Sequence, residues 1–241
     1  NLLVSDNGID GIVISPAKSL KKLEIEENSI VAESGVMLGK LVKESMKRNL
    51  TGLESLIGVP GTLGGALVMN AGAFGGEISN YLISVDVMTS KGKLKSYKAT
   101  DIDFSYRFSS FSTDEFILLA RFELKFEDPN IISERRKIAS SGRKTNQPLR
   151  FRSAGSVFKN PKDHAAGYLI DKVGLKGKRI GDAEISTHHA NFFINHGNAS
   201  ASDITELIRL ARTAVLEKFD IELELEIKTI GFEQDKVVAH G

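Results

Sequence analysis

Two kinds of hydrophobic patterning share this chain. Short apolar or alternating runs (Gly11-Ile12-Val13-Ile14, Leu23-Glu24-Ile25 and Ile30-Val31-Ala32) predict strands near its start. Residues 37–50 instead space Leu38, Leu41, Val42 and Met46 along one stripe, with basic residues elsewhere, which predicts an amphipathic helix. Residues 83–87 alternate at period two, Ser90-Lys91-Gly92-Lys93 supplies a turn, and residues 94–97 follow as the second arm of a hairpin. Residues 116–126 form a further strand candidate, and residues 134–144 a polar helix that ends before Pro148. Beyond that point the pattern predicts a strand near 155–159, a helix over 165–173, a strand near 190–195, a helix over 202–218 and a strand over 221–230. Strands and helices mix without strict β-α-β alternation, so the expected class is α+β rather than a doubly wound sheet. The stretch around 145–150 is the expected joint between two parts.

Composition narrows the function classes. With 32 basic and 31 acidic residues the formal charge is +1, which leaves no broad basic surface for nucleic acid. No apolar run reaches membrane-spanning length, and no basic-then-apolar leader opens the sequence. Cysteine is absent, which excludes disulfides and thiolate metal sites and fits a cytoplasmic location. Separately, the chain is expected to act as a monomer. The chain opens at Asn1 with Leu2-Leu3-Val4 already apolar, so a further segment is expected upstream.

One stretch is chemically unusual. Residues 58–76, GVPGTLGGALVMNAGAFGG, hold seven of the 22 glycines. Glycine is costly in chain entropy, so such density points either to tight turns or to a ligand lying against the backbone. No G-x-G-x-x-G is present, and Gly35-Val-Met-Leu-Gly39-Lys40 is one residue short of a P-loop. Backbone amides of a glycine-rich loop could still hold a flat, anionic ligand. Asn70 places a polar amide among small and apolar neighbours.

Other candidates have two readings each. Arg107 could grip a carboxylate with its planar fork or form a surface ion pair. Ser156 could deliver a proton in a dry site or cap its own turn. Strand alternation would put Glu222, Glu224 and Glu226 on one face. His188 and His196 would face opposite to His189, and no metal is expected. The basic run Arg135, Arg136, Lys137, Arg143, Lys144 reads as solvated.

Six blocks in order carry a resemblance: VPGTLGGALVMNAGAFG, SYRFSSF (105–111), AGSVFKNP (154–161), LIDKVGLKGKRIGDAEIS (169–186), HANFFIN (189–195) and LELEIKTIG (223–231). Over nearly its whole length the chain resembles the UDP-N-acetylenolpyruvoylglucosamine reductase family. The resemblance implies an FAD-binding domain of the PCMH/MurB type plus a smaller α+β substrate lobe. It places the first over residues 1–145, with its first subdomain largely upstream, and the lobe over 146–221. Residues 222–241 would return to the FAD-binding domain. The implied activity is NADPH-dependent, FAD-mediated reduction of UDP-N-acetylglucosamine enolpyruvate. Arg107, Ser156 and Glu226 match the family's catalytic residues. Asn1, Pro60, Gly61, Thr62, Gly64, Gly65, Asn70, Gly72 and Ala73 match its flavin-contacting segments. Tyr106, Lys144, Lys159, Asn160, His189 and Asn191 are the implied substrate contacts. The spacing from Arg107 to Ser156, 49 residues, resembles the family's shorter class without the tyrosine-bearing insertion. Two alternatives stay open here: a flavin-dependent oxidase of the same fold, and a non-catalytic UDP-sugar-binding fragment.

Overall fold

The structure, a computed structural model, describes residues 1–232. The chain divides into two compact units, residues 14–143 and residues 1–13 together with 144 onward. Of the expected return segment 222–241, residues 233–241 lie outside the described residues. The first strand is β1 (Leu2–Val4), which belongs to the second unit.

Residues 14–143 are built on a five-stranded antiparallel sheet. Its strands are β2 (Leu23–Glu26), β3 (Ser29–Glu33), β4 (Leu82–Thr89), β5 (Leu94–Lys98) and β6 (Glu115–Glu123), in the order β2-β3-β6-β4-β5. Ala120 of β6 stands opposite both Ala32 and Val85, and all three are buried. Small residues in that row leave room for large apolar side chains beside them. Those come from the helices α1 (Leu38–Met46) and α2 (Leu63–Val68). Leu38, Leu41 and Val42 of α1 are fully buried, as the stripe predicts, and join Leu63 and Leu67 of α2 in the same core. The helix α3 (Pro129–Asn146) carries Pro at its start and stops before Pro148. The boundary between the units falls inside it, after Arg143.

The second unit contains β7 (Arg152–Ser156), α4 (Ala166–Lys172), β8 (Arg179–Ile180), β9 (Ala183–Ile185), β10 (Phe192–Asn195), α5 (Ala201–Phe219) and β11 (Lys228–Ile230). Four strands form an antiparallel sheet in the order β7-β10-β9-β8, while β1 pairs in parallel with β11. Ser200 caps α5 by accepting from the Asp203 amide. Asp6 adds a second cap, accepting from the Ala201 and Ser202 amides at 2.7 and 3.1 Å, which ties the N-terminal segment to this unit. Among the described residues no helix is long and apolar enough to cross a membrane.

Three expectations fail locally. Gly11-Ile12-Val13-Ile14 forms no strand, and Ile12 is 92% exposed. The run has strand-like residues but no partner strand, and β-propensity without a partner does not make a sheet. Residues 63–68 form a helix where glycine density suggested only loop. Only Lys228–Ile230 of the expected strand 221–230 is regular, and Leu225 makes an isolated antiparallel bridge to Phe158.

Candidate active site

In the unit 14–143 the glycine-rich stretch and a short hairpin lock together. Phe104–Ser105 pairs with Phe108–Ser109, leaving Tyr106 and Arg107 as the two-residue tip. Asn70, fully buried, donates from Nδ2 to the Ser105 carbonyl at 3.1 Å and to Glu77 Oε2 at 2.8 Å. Arg107 reaches the other way, donating from Nη2 to the Gly72 carbonyl at 3.2 Å, with its guanidinium 4.8 Å from the Tyr106 ring centroid. Asn70, Phe74 and Arg107 all have left-handed backbone, at φ of 41°, 49° and 55°. Non-glycine residues in that region cost of order 1–3 kcal/mol each, and such strain collects at ligand-binding sites.

The flavin-matching residues meet a physical test here. Pro60, Gly61 and Gly65 lie exposed, Thr62, Gly64, Gly72 and Ala73 half-buried. At Gly61, φ is +114° and an added Cβ would meet nothing within 4 Å, so this backbone faces open space that only glycine leaves free. Gly64 is different: its Cβ would come within 3.1 Å of Ser34 Cβ, so there glycine serves helix-to-strand packing. Three buried oxygens near the stretch, Ser34 Oγ, Ser55 Oγ and Asn70 Oδ1, have no protein partner. Buried polar atoms left unpaired by protein are the kind that a ligand satisfies. Exposed glycine backbone beside exposed Met37, Val68 and Tyr106 suits a large planar ring.

In the second unit, Ser156, Lys159, Asn160, His189, Asn191 and Glu226 converge on one segment. Residues 157–159 are braced on both sides. On one side Glu226 donates its amide to the Val157 carbonyl at 2.8 Å, and Lys159 donates its amide to the Glu224 carbonyl at 2.8 Å. On the other, Val157 donates to the Asn191 carbonyl at 2.8 Å, and the Asn191 side chain bonds Phe158 twice. Ser156 is half-buried at the end of β7 and pairs with Phe192 in register. Asn1 donates from Nδ2 to the Ala154 carbonyl at 2.9 Å, which puts it beside the same strand. Lys159 forms an ion pair with Glu224. Asn160 Oδ1 accepts from the Ala166 amide at 3.0 Å, capping α4. Lys144 is exposed in the last turn of α3.

The carboxylates and histidines need correction in detail. Residues 221–226 are not a regular strand, yet the alternation survives as burial: Glu222 and Glu224 are exposed, while Glu226 is half-buried beside Val157. The structure therefore separates Glu226 from its neighbours, which period two could not do. His188 and His189 sit in a turn rather than on a strand. His188 Nε2 lies 2.7 Å from the Thr145 carbonyl, and His196 Nε2 lies 2.7 Å from Glu184 Oε2. His189 Nδ1 accepts from the Asn191 amide at 3.2 Å, which fixes its tautomer with the proton on Nε2. Burial lowers its pKa, with His188 and Lys176 adding to the effect. Among the described residues no group of three His, Asp or Glu is placed to hold a metal. Sequence reasoning missed Arg143. It lay in a basic run that reads as solvated, and only its packing against the glycine-rich stretch distinguishes it.

The fold and the glycine-rich site define a class before a family. Residues 1–97 match the FAD binding domain family, so the chain is an FAD-dependent flavoprotein of α+β architecture. Residues 147–230 match the family described as UDP-N-acetylenolpyruvoylglucosamine reductase, C-terminal domain. The chain is 44% identical over 238 residues to the UDP-N-acetylenolpyruvoylglucosamine reductase of Clostridium tetani, covering 98% of this chain and 76% of that protein. It is 44% identical over 232 residues to that of Listeria welshimeri, covering 96% and 78%. The crystal structure of the Thermus caldophilus reductase superposes with a TM-score of 0.84 at 37% identity, covering 95% of this chain and 82% of that one. The chain belongs to the UDP-N-acetylenolpyruvoylglucosamine reductase family.

Proposed function

We propose that this chain reduces the enolpyruvyl double bond of UDP-N-acetylglucosamine enolpyruvate to give UDP-N-acetylmuramate, with NADPH as the source of electrons. The product is a peptidoglycan precursor. FAD, held by the residues named below, would supply the hydride-transfer chemistry that links NADPH to the β-carbon of the enolpyruvyl group. The protein's task is then to hold the substrate, stabilise the charge that appears, and deliver one proton.

As hydride reaches the β-carbon, the electron pair of the double bond moves onto the α-carbon and spreads into the carboxylate. Arg107 suits the carboxylate, because a guanidinium fork matches its two oxygens and stays charged. Ser156 is the proposed proton donor to the α-carbon. A serine hydroxyl is a weak acid in water, so this role needs close positioning against a strongly basic carbon. The observation that carries the reading is the bracing of residues 157–159 between Asn191 and 224–226, which fixes Ser156 and brings Glu226 to the same segment. Glu226 would hold the proton-donating side of the site in place. Lys159, Asn160, His189, Tyr106 and Lys144 are proposed substrate contacts, and Pro60, Gly61, Thr62, Gly64, Gly65, Asn70, Gly72, Ala73 and Asn1 are proposed to hold the FAD.

The test is an anaerobic visible spectrum. The flavin band should bleach with NADPH and recover on adding the enolpyruvyl sugar. Recovery with oxygen but not with the sugar would reject the substrate.

A further inference from the structure

One cation in the unit 14–143 is left without a role. Two atoms of Arg143, Nε and Nη2, are buried and have no hydrogen-bond partner. The side chain is held from several sides by the glycine-rich stretch and its surroundings. Its guanidinium lies 5.6 Å from the Phe74 ring centroid, and a Cβ on Gly58 would come within 3.2 Å of its Cδ. The preceding residue, Gly142, packs so closely on Phe74 that an added Cβ would approach the ring to 2.6 Å. The fold thus fixes Arg143 against residues 58–76, where sequence alone suggested a solvated base. Burial, and after it the charge of Arg107, both disfavour its protonated form.

Those facts conflict with a purely structural role. An arginine keeps its charge, and burying donor atoms of a charged group without a partner is destabilising. Holding it near a second guanidinium adds repulsion. An anion that occupies the site would relieve both costs.

We propose that Arg143 is a second anion-binding guanidinium beside Arg107, and that its Nε–Nη2 edge takes a planar oxyanion edge in the working enzyme. This rests on the reading of the chain as a reductase of an enolpyruvyl sugar. Two groups in that reaction have such an edge. One is the enolpyruvyl carboxylate, whose charge grows as hydride arrives and before Ser156 gives its proton. The other is the N1–C2 carbonyl edge of the flavin ring. Both are flat and accept two parallel hydrogen bonds, which a guanidinium fork matches and an ammonium does not.

The experiment compares the FAD-loaded wild type with Arg143→Met, which keeps length and removes the charge, and with Arg143→Lys. Turnover per bound flavin should fall about 100-fold or more in Arg143→Met, in the range typical of losing one charge-stabilising donor. Arg143→Lys should recover only a minor part. The melting temperature of Arg143→Met should stay level or rise, because an uncompensated charge is gone. If the carboxylate is the ligand, Arg143→Met binds UDP-N-acetylglucosamine enolpyruvate at least tenfold more weakly while affinity for UDP-N-acetylglucosamine holds. If the flavin edge is the ligand, both affinities hold and the flavin reduction potential falls. A lower melting temperature with per-flavin turnover within twofold of wild type would overturn the proposal in favour of packing. Failure of the wild type itself to be reoxidised by the enolpyruvyl sugar would instead reject the parent reading.

Discussion

The Asn191 side chain and the Phe158 backbone exchange two hydrogen bonds. The Phe158 amide donates to Asn191 Oδ1 at 2.9 Å, and Asn191 Nδ2 donates to the Phe158 carbonyl at 2.8 Å. A side-chain amide here completes a backbone ladder, and both residues are buried. Replacing Asn191 with Leu would leave both backbone groups of Phe158 without these partners in a dry core. At roughly 1–3 kcal/mol for each of the two unsatisfied groups, the expected loss is about 2–6 kcal/mol. A denaturant melt of Asn191→Leu should show it as a lower midpoint. Turnover should fall as well, since Ser156 lies two residues from Phe158. An unchanged midpoint would mean that the segment is braced by 224–226 alone.

Gly61 and Gly92 offer a matched pair for testing the flavin site. Both have positive φ, +114° and +76°, and at neither would a Cβ meet an atom within 4 Å. Alanine at either position should therefore cost only backbone strain, of order 1–3 kcal/mol. Gly92 sits in the turn between β4 and β5, whereas Gly61 belongs to the segment proposed to lie against FAD. Flavin content per chain, read from the ratio of visible to ultraviolet absorbance, should drop in Gly61→Ala and hold in Gly92→Ala. Equal retention in the two would remove Gly61 from the cofactor site.

The sequence was most legible where periodicity decides. The stripe of Leu38, Leu41, Val42 and Met46 became α1, and residues 83–97 became the hairpin β4–β5, because each pattern matches one burial geometry. It was least legible where tertiary contacts override local preference. Gly64 and Gly65 argue against a helix, yet α2 forms with Leu63, Ala66 and Leu67 buried in the core, and Gly64 lets it pass Ser34 closely. Residues 11–14 look like a strand but find no partner. The six ordered blocks gave the family and the candidate residues. Arg143 stayed hidden because nothing in a basic run marks which member the fold will bury.

Ser156→Ala separates proton delivery from folding. The side chain is half-buried and its backbone is held by β7 and β10, so removing one hydroxyl should leave the melting curve within about 0.5 kcal/mol of wild type, as for sites without a special interaction. If Ser156 supplies the proton, turnover should fall by roughly 100- to 10,000-fold, the usual range for a lost general acid. Bleaching by NADPH should proceed as before, with only the recovery on adding the enolpyruvyl sugar slowed. Slowing of both half-reactions alike would point to a binding role instead.

His189 makes stability depend on pH with a definite sign. Its pKa is lowered, chiefly by burial, with the charges of His188 and Lys176 adding to the effect. The folded protein therefore binds a proton at this site less readily than the unfolded chain, whose histidine titrates near pH ~6.5. Between the unfolded and folded values the unfolded state carries more protons, so stability rises with pH in that window. The contribution is fully present above pH ~6.5 and is lost as pH falls through the folded value, by up to about 1.4 kcal/mol per pH unit. Melting temperatures from pH 7.5 down to 5 should decline in the wild type. His189→Asn, whose Oδ1 can replace Nδ1 as acceptor for the Asn191 amide, should decline less over the same range. Parallel curves for the two proteins would mean that His189 takes its proton as easily in the fold as in the unfolded chain.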